Sequence, residues 1–254
     1  MDKISLIDTH SHYNSCIMPD LTNEIKIANS NKDVLKIINV GLDNATSEEA
    51  IIIGIENSKF YSTLGIHPLY EGCIEELEDL YYKYNNEKIV GVGETGIDTS
   101  GNIENQIDKF IRSINLANKL KLPIIIHSCT TKGSNINANK LCLEIIKRYR
   151  PKFGFIFHCF QPDLEVLDEI ITLGGYISIG SKILSPNARQ SLEVIKNVPI
   201  NNLMIETDYS FLTDRPNETG KETFLKICQL KNIEKILMMK QLDENAKNLF
   251  YKLK

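Results

Sequence analysis

Short apolar runs alternate with longer amphipathic segments along the whole chain. Eight runs, at 4–8, 35–41, 60–65, 89–94, 123–127, 153–158, 175–179 and 203–207, are rich in Ile and Val and do not alternate strictly with polar residues. Strands buried on both faces, as in a parallel sheet, have this pattern. Between the runs, segments 44–57, 74–84, 105–120, 137–149, 164–173 and 187–196 predict helices. In 105–120, Ile107, Phe110, Ile111, Ile114, Leu116 and Ala117 recur at helical spacing and form one broad apolar face. Residues 221–254 predict two more helices. No internal repeat, low-complexity run or interdomain linker interrupts the pattern. Eight strand–helix alternations in 254 residues predict an α/β fold, a (β/α)8 TIM barrel forming a single domain over 1–254. A doubly wound open sheet is the competing arrangement.

The polar residues favour the barrel. In such barrels the reactive groups sit at the C-terminal ends of the strands. All five histidines fall there: His10 and His12 after the first run, His67 after the third, His127 after the fifth and His158 after the sixth. Residues two apart on a strand share a side, so His10 and His12 can aim two imidazoles at one point. Glu94 and Asp208 close the fourth and eighth runs. A lone strand-end histidine is most often packing or a hydrogen-bond cap, but five in the same topological position converge on one mouth.

Four imidazoles and two carboxylates exceed the three protein ligands of a usual mononuclear catalytic zinc site. They suit two divalent metal ions (Mg, Mn or Zn) bridged by one carboxylate, which clamp the attacking and leaving oxygens of a phosphoryl centre. His10, His12, Glu94, His127, His158 and Asp208 are the expected metal ligands. Glu94, on the middle strand, is the natural bridge. Asp208 binds a metal and can also take a proton from the attacking water, which makes Asp208 and Glu94 the expected catalytic pair. Glu206 is read as orienting a ligand from behind, and Asp8 as doing the same or merely capping a strand end. Gly91, Gly93 and Gly96 flank Glu94, where backbone is expected to pass close to the ligands.

Composition narrows the picture further. Net charge is −4, from 29 basic and 33 acidic residues, so no global field draws the chain to nucleic acid. Action on phosphodiesters would then depend on local metal charge. Cysteines at 16, 73, 129, 142, 159 and 228 form no CxxC pair and read as reduced thiols. Cys159 is expected to pack away from the site, and Cys129 to approach it without acting as a ligand. Residues 1–5 carry no long apolar run, and no stretch reaches the roughly 18 apolar residues of a membrane span. A cytoplasmic protein with no membrane contact, most simply a monomer, is expected.

In motif order the chain resembles the TatD family of metal-dependent deoxyribonucleases, within the amidohydrolase-like barrels. Asp8-Thr-His-Ser-His12 resembles the family's D-x-H-x-H, and Gly65-Ile-His-Pro68 its GxHP. Gly93-Glu-Thr-Gly-Ile-Asp98 resembles GE-x-G-[LI]-D, and Pro123-Ile-Ile-Ile-His127 P-x-x-x-H. His158-Cys-Phe160 and Glu206-Thr-Asp208 match HCF and ETD. The resemblance implies one metal on His10, His12 and Asp208, the other on His127 and His158, and Glu94 between them. It further implies phosphodiester cleavage in DNA, preferably single-stranded, as a 3′ exonuclease. His67 then either contacts the substrate phosphate or is a turn histidine beside Pro68. Three positions depart from the family: Cys129 where an arginine is frequent, Thr99-Ser100-Gly101 where aromatic residues are common, and Tyr209-Ser210 where Ser/Ala-Pro is usual. Lys132 could return a charge near Cys129 but reads more simply as a solvated lysine. These departures keep two alternatives open, a metallohydrolase of small amides, esters or lactones, and an accessory barrel active only with partner proteins.

Overall fold

The computed structural model describes residues 4–254, and residues 1–3 of the expected domain lie outside it. Eight parallel strands form one sheet in sequence order: β1 (Leu6–Ser11), β2 (Val34–Asn39), β3 (Phe60–Leu64), β4 (Ile89–Asp98), β5 (Ile124–Cys129), β6 (Phe155–Phe157), β7 (Tyr176–Ile179) and β8 (Leu203–Ile205). The helices are α1 (Leu21–Ser30), α2 (Asn44–Glu56), α3 (Ile74–Tyr84), α4 (Ile103–Leu120), α5 (Ala138–Tyr149), α6 (Leu164–Thr172), α7 (Arg189–Asn197), α8 (Pro216–Lys231) and α9 (Lys235–Leu249). The sheet curls into a nearly closed (β/α)8 barrel rather than an open doubly wound sheet. At its seam Ser11 bridges Tyr209, and the Asp208 N–H donates to the His10 carbonyl at 2.9 Å. The Asp8 carboxylate ties the same seam by accepting from Thr207 N–H at 2.9 Å and Thr207 Oγ1 at 2.5 Å.

Two apolar layers follow from strand alternation. One lies between the strands and the surrounding helices. The other fills the barrel interior with Ile7, Ile38, Tyr61, Val90, Ile125, Ile156 and Met204, closed from below by Phe250 and Leu253 after α9. Ile125, Ile156 and Met204 are each the second residue of their strand. Two residues further along the same face come His127, His158 and Glu206. The barrel thus turns from apolar to ionisable within one pleat, and that change places the site at the C-terminal mouth.

Element ends differ from the sequence reading where local chemistry overrides periodicity. The strand expected at 89–94 runs to Asp98, so Glu94 lies inside β4 rather than at its end. Gly96 has φ +144°, and a Cβ there would collide with the His127 carbonyl of β5. The glycines around Glu94 therefore let two strand backbones approach, not backbone and ligand. β5 likewise runs two residues beyond His127, paired as Gly96 to His127 and Asp98 to Cys129. α1 has no counterpart among the expected helices, because its apolar stripe is confined to Leu21, Ile25 and Ala28. No helix among the described residues is long and apolar enough to cross a membrane.

Candidate metal centre

Strand pairing slips beside His10, His12 and Glu94. β1 and β2 lose register between Asp8 and Ser11, and β4 and β5 between Val92 and Thr95. Such irregularities re-aim side chains that strict alternation would send elsewhere. Here they turn His10, His12 and Glu94 toward His127 and His158. His10, His12 and Glu94 are almost fully buried, at 1%, 1% and 2% exposure.

Glu94 is the centre of the arrangement. Its Oε2 lies 3.3 Å from His10 Nε2 and 3.6 Å from His12 Nε2. Its Oε1 lies 2.5 Å from His127 Nδ1, 2.6 Å from His158 Nε2 and 3.8 Å from His67 Nε2. Each oxygen thus faces a different set of imidazoles, two on Oε2 and three on Oε1. Asp208 stands on the first side, with Oδ1 3.4 Å from His12 Nε2. All seven residues expected at the site come together at this mouth.

The hydrogen-bond partners fix which ring nitrogens carry hydrogen. His12 Nδ1 lies 3.1 Å from the Val40 carbonyl, which can only accept. Nδ1 therefore holds the hydrogen and Nε2 presents its lone pair. That lone pair faces His10 Nε2 at 3.1 Å as well as the Asp208 and Glu94 oxygens. A buried lone pair turned toward two carboxylate oxygens is costly unless a cation sits among them. His67 is built the opposite way. Leu69 N–H donates to its Nδ1 at 3.1 Å, so Nε2 bears the hydrogen and points into the mouth as a donor.

Electrostatics agree with this division. Burial, then the charge of His158, lowers His10 to about 3, and burial lowers His67 to about 4, so both rings are neutral near pH 7. Burial works against ionised Asp208, but the His12 bond and the surrounding imidazoles hold it at about 2. Burial also opposes a charged His127, yet bonds to Asp98, Cys129 and Glu94 lift it well above the usual range.

A supporting layer lies behind these groups. Asp98 Oδ2 is 3.2 Å from His127 Nε2 and fixes that ring from the far side. The sequence reading places Asp98 in a motif without giving it a role, because the strand expected there ends at Glu94, four residues earlier. Glu206 accepts from Cys159 N–H at 2.6 Å and Ser178 Oγ at 2.5 Å, and its Oε1 lies 3.8 Å from His158 Nδ1. Burial raises it to about 7. Asp8 accepts from Ser11 Oγ at 2.5 Å besides Thr207, so it fastens the seam. Phe211, also missed, packs edge-on against His12 with ring centroids 4.9 Å apart while half exposed.

Three groups of donors have ligand atoms mutually within 4.8 Å around Glu94 and Asp208: His10 with His12 and Asp208, His10 with Glu94 and His158, and His67 with Glu94 and His127. A fourth, Asp98 with His127 and Cys129, lies on the outer side of His127. Cys129 accepts from Gln161 Nε2 at 3.5 Å. Lys132 is exposed in the loop after β5 and enters none of the contacts described above.

Comparison with known proteins gives a consistent result. The family model described as TatD related DNase matches residues 7–251. YabD of Bacillus subtilis (strain 168), an uncharacterized metal-dependent hydrolase, is 32% identical over 96% of this chain and 98% of its own length. An uncharacterized metal-dependent hydrolase of Buchnera aphidicola subsp. Baizongia pistaciae is also 32% identical, over 96% of both chains. The crystal structure of the TatD homolog YjjV from Escherichia coli K12 superimposes with a TM-score of 0.84 at 24% identity, over 97% of this chain and 98% of that one, a likeness in fold.

Proposed function

The chain belongs to the family of TatD related DNases, and on that premise we propose that it is a metal-dependent hydrolase that cleaves phosphodiester bonds in single-stranded DNA, trimming from the 3′ end. The observation that carries this reading is the division of Glu94 between two sets of imidazoles, one on each carboxylate oxygen. His10, His12 and Asp208 would hold one divalent ion, His127 and His158 the other, with Glu94 shared. Mg, Mn and Zn all accept this donor set. The buried His12 lone pair facing the Asp208 and Glu94 carboxylates supports the fit. Two such ions supply Lewis acidity toward water and toward the phosphoryl oxygens.

The remaining work falls to side chains of this chain. Asp208, ionised and at the mouth, accepts the proton of the attacking water. His67 Nε2–H donates to a non-bridging phosphate oxygen, and its neutral ring stays a donor over the working pH range. Phe211 offers a half-exposed ring beside His12 on which a base can stack. Asp98 keeps His127 oriented, and Glu206 holds the start of the loop after His158. The absence of disulfides among the six cysteines suits a reducing, cytoplasmic setting. A monomer suffices, since every group named comes from one chain.

The test is a gel assay with end-labelled single- and double-stranded DNA, run with Mg, with Mn and with chelator, beside His127→Ala. Metal-dependent shortening of the single strand that vanishes in the variant is the expected result, and the ladder reports polarity. Intact DNA alongside hydrolysis of a small ester would overturn the nuclease reading. A second expectation concerns Asp98→Asn. Partners that orient a ligating histidine are typically worth about 10–100-fold in metal affinity or activity. Asp98→Asn should weaken metal binding by that factor in calorimetric titration, and an unchanged affinity would remove Asp98 from the supporting layer.

A further inference from the structure

Beyond the metal centre, the mouth is asymmetric in shape and charge. On the β6–β7 side a cleft of about 430 Å³ opens between the loop after β6 and the start of α7, lined by Cys159, Phe160, Gln161, Lys182 and Gln190 among others. Its inner end touches the site. Cys159 follows His158 directly and is tied to Glu206, and Gly180 packs against Glu206. A second cleft of about 430 Å³, lined by Pro162, Arg189 and Gln190, continues outward, with Pro162 and Gln190 common to both. The two form one groove that leads outward from Cys159, next to His158 in the chain.

One carboxylate, Glu193, lines the outer cleft and is paired with Lys196 at 2.8 Å, whereas Lys182 and Arg189 enter no ion pair among the described residues. Lys182 is exposed on its wall, in the same cleft as Cys159. No ion pair or side-chain hydrogen bond within the described residues engages Arg189, at the first position of α7. The helix start itself has no side-chain cap. Elsewhere on the surface Arg112 is paired with Glu75 and Lys140 with Glu165. Between the two cations the walls are uncharged, with Phe160, Pro162, Gln161 and Gln190. An apolar and amide-lined channel with cations spaced along it suits a sugar–phosphate strand.

We infer that this groove is the exit track for the strand on the 5′ side of the scissile bond, with Lys182 holding the first phosphate beyond the metal centre and Arg189 one further out. This assignment rests on the nuclease reading above and deepens it, because it makes the substrate a polynucleotide rather than a single diester. It also explains how a chain of net charge −4 retains a polyanion: two local cations and the bound ions supply the attraction that the whole surface does not.

The test is binding of a fluorescein-labelled dT12 oligonucleotide, followed by anisotropy with Mn present in an Asp208→Asn background, so that the strand stays whole. Lys182→Ala, Arg189→Ala and their combination are compared with the parent at several salt concentrations. Lys240→Ala, which removes a charge from exposed α9, serves as the control, and thermal melts verify that each variant is folded. Each lost phosphate contact on a single strand lowers the slope of log affinity against log salt by about 0.7. The double variant should therefore bind at least tenfold more weakly, with the slope reduced by about 1.4, and Lys182→Arg should restore most of its share. A double variant that matches the parent, or falls no further than Lys240→Ala, overturns the groove. A parent that does not bind the oligonucleotide overturns it as well. If wild type cuts DNA while the double variant binds normally, the groove alone fails. If wild type leaves DNA uncut while the double variant loses tenfold in affinity and the slope falls, the groove stands and the nuclease reading fails.

Discussion

Asp208→Asn should lower the rate of DNA cleavage by about 10³-fold, within the range typical of a lost general base, while leaving the barrel folded. The side chain sits at the rim of the mouth, with its carboxylate 3.4 Å from His12 Nε2 and held ionised at about 2 against the effect of burial. Asparagine keeps the shape and can still offer one oxygen to a cation, but it cannot accept a proton. The backbone of Asp208 has its own duties, since its N–H donates to His10 O and its carbonyl accepts from Phe211 and Leu212. The substitution leaves those bonds intact, so the melting temperature should stay close to that of the parent. A metal titration separates the two roles given to this residue. If Asp208 served only as a ligand, raising Mn would bring the variant back to the parent rate. If it accepts the proton, saturating metal leaves the deficit in place. Wild-type-like turnover at ordinary metal concentration would remove both roles.

Much of this site was legible in the sequence because the barrel converts order along the chain into position around a ring. The apolar run 123–127 ends in histidine, and alternation from Ile125 carries His127 inward; Ile156 and His158, and Met204 and Glu206, repeat the step. What periodicity could not show lies where strands depart from it. Nothing in the 89–94 pattern signals that β4 continues to Asp98, because that extension depends on Gly93 and Gly96 adopting positive φ against the β5 backbone. The role of Asp98 behind His127 was hidden with it. Tautomers were beyond reach for a different reason. The His12 hydrogen is fixed by Val40, 28 residues away in sequence, and only the closed barrel brings that carbonyl to the ring. The sequence allows His67 either a turn role or a substrate role, and the Leu69 N–H that decides its donor end is a local bond visible only in the folded loop. Lys182 carried no signal either, since its meaning comes from the groove it lines rather than from any motif.

Glu94→Gln is the change expected to reach furthest, because one side chain serves both halves of the centre. Glutamine fits the same space, yet it replaces one of two charged oxygens with an amide that donates. Oε2 faces His10 and His12, and Oε1 faces His127 and His158, so whichever end becomes the amide meets ring nitrogens on that side. The amide nitrogen can bond to an imidazole lone pair, which occupies the donor a cation would need. Metal content measured by elemental analysis should therefore drop from two ions per chain to one or fewer. Lewis-acid stabilisation by such ions is worth several kcal/mol, so its loss corresponds to roughly 10³–10⁴ in rate. Stability supplies a second and independent readout. A ligand that binds only the folded state stabilises it by about 2.7 kcal/mol at a hundred times its dissociation constant. The parent should melt at a higher temperature when Mn is added, and Glu94→Gln should lose most of that rise. Without metal the ordering can reverse, because the variant no longer buries a carboxylate at 2% exposure among five imidazoles. A variant that keeps two ions and the full metal-induced rise would show that Glu94 does not bridge, and that the two sets of histidines bind independently of it.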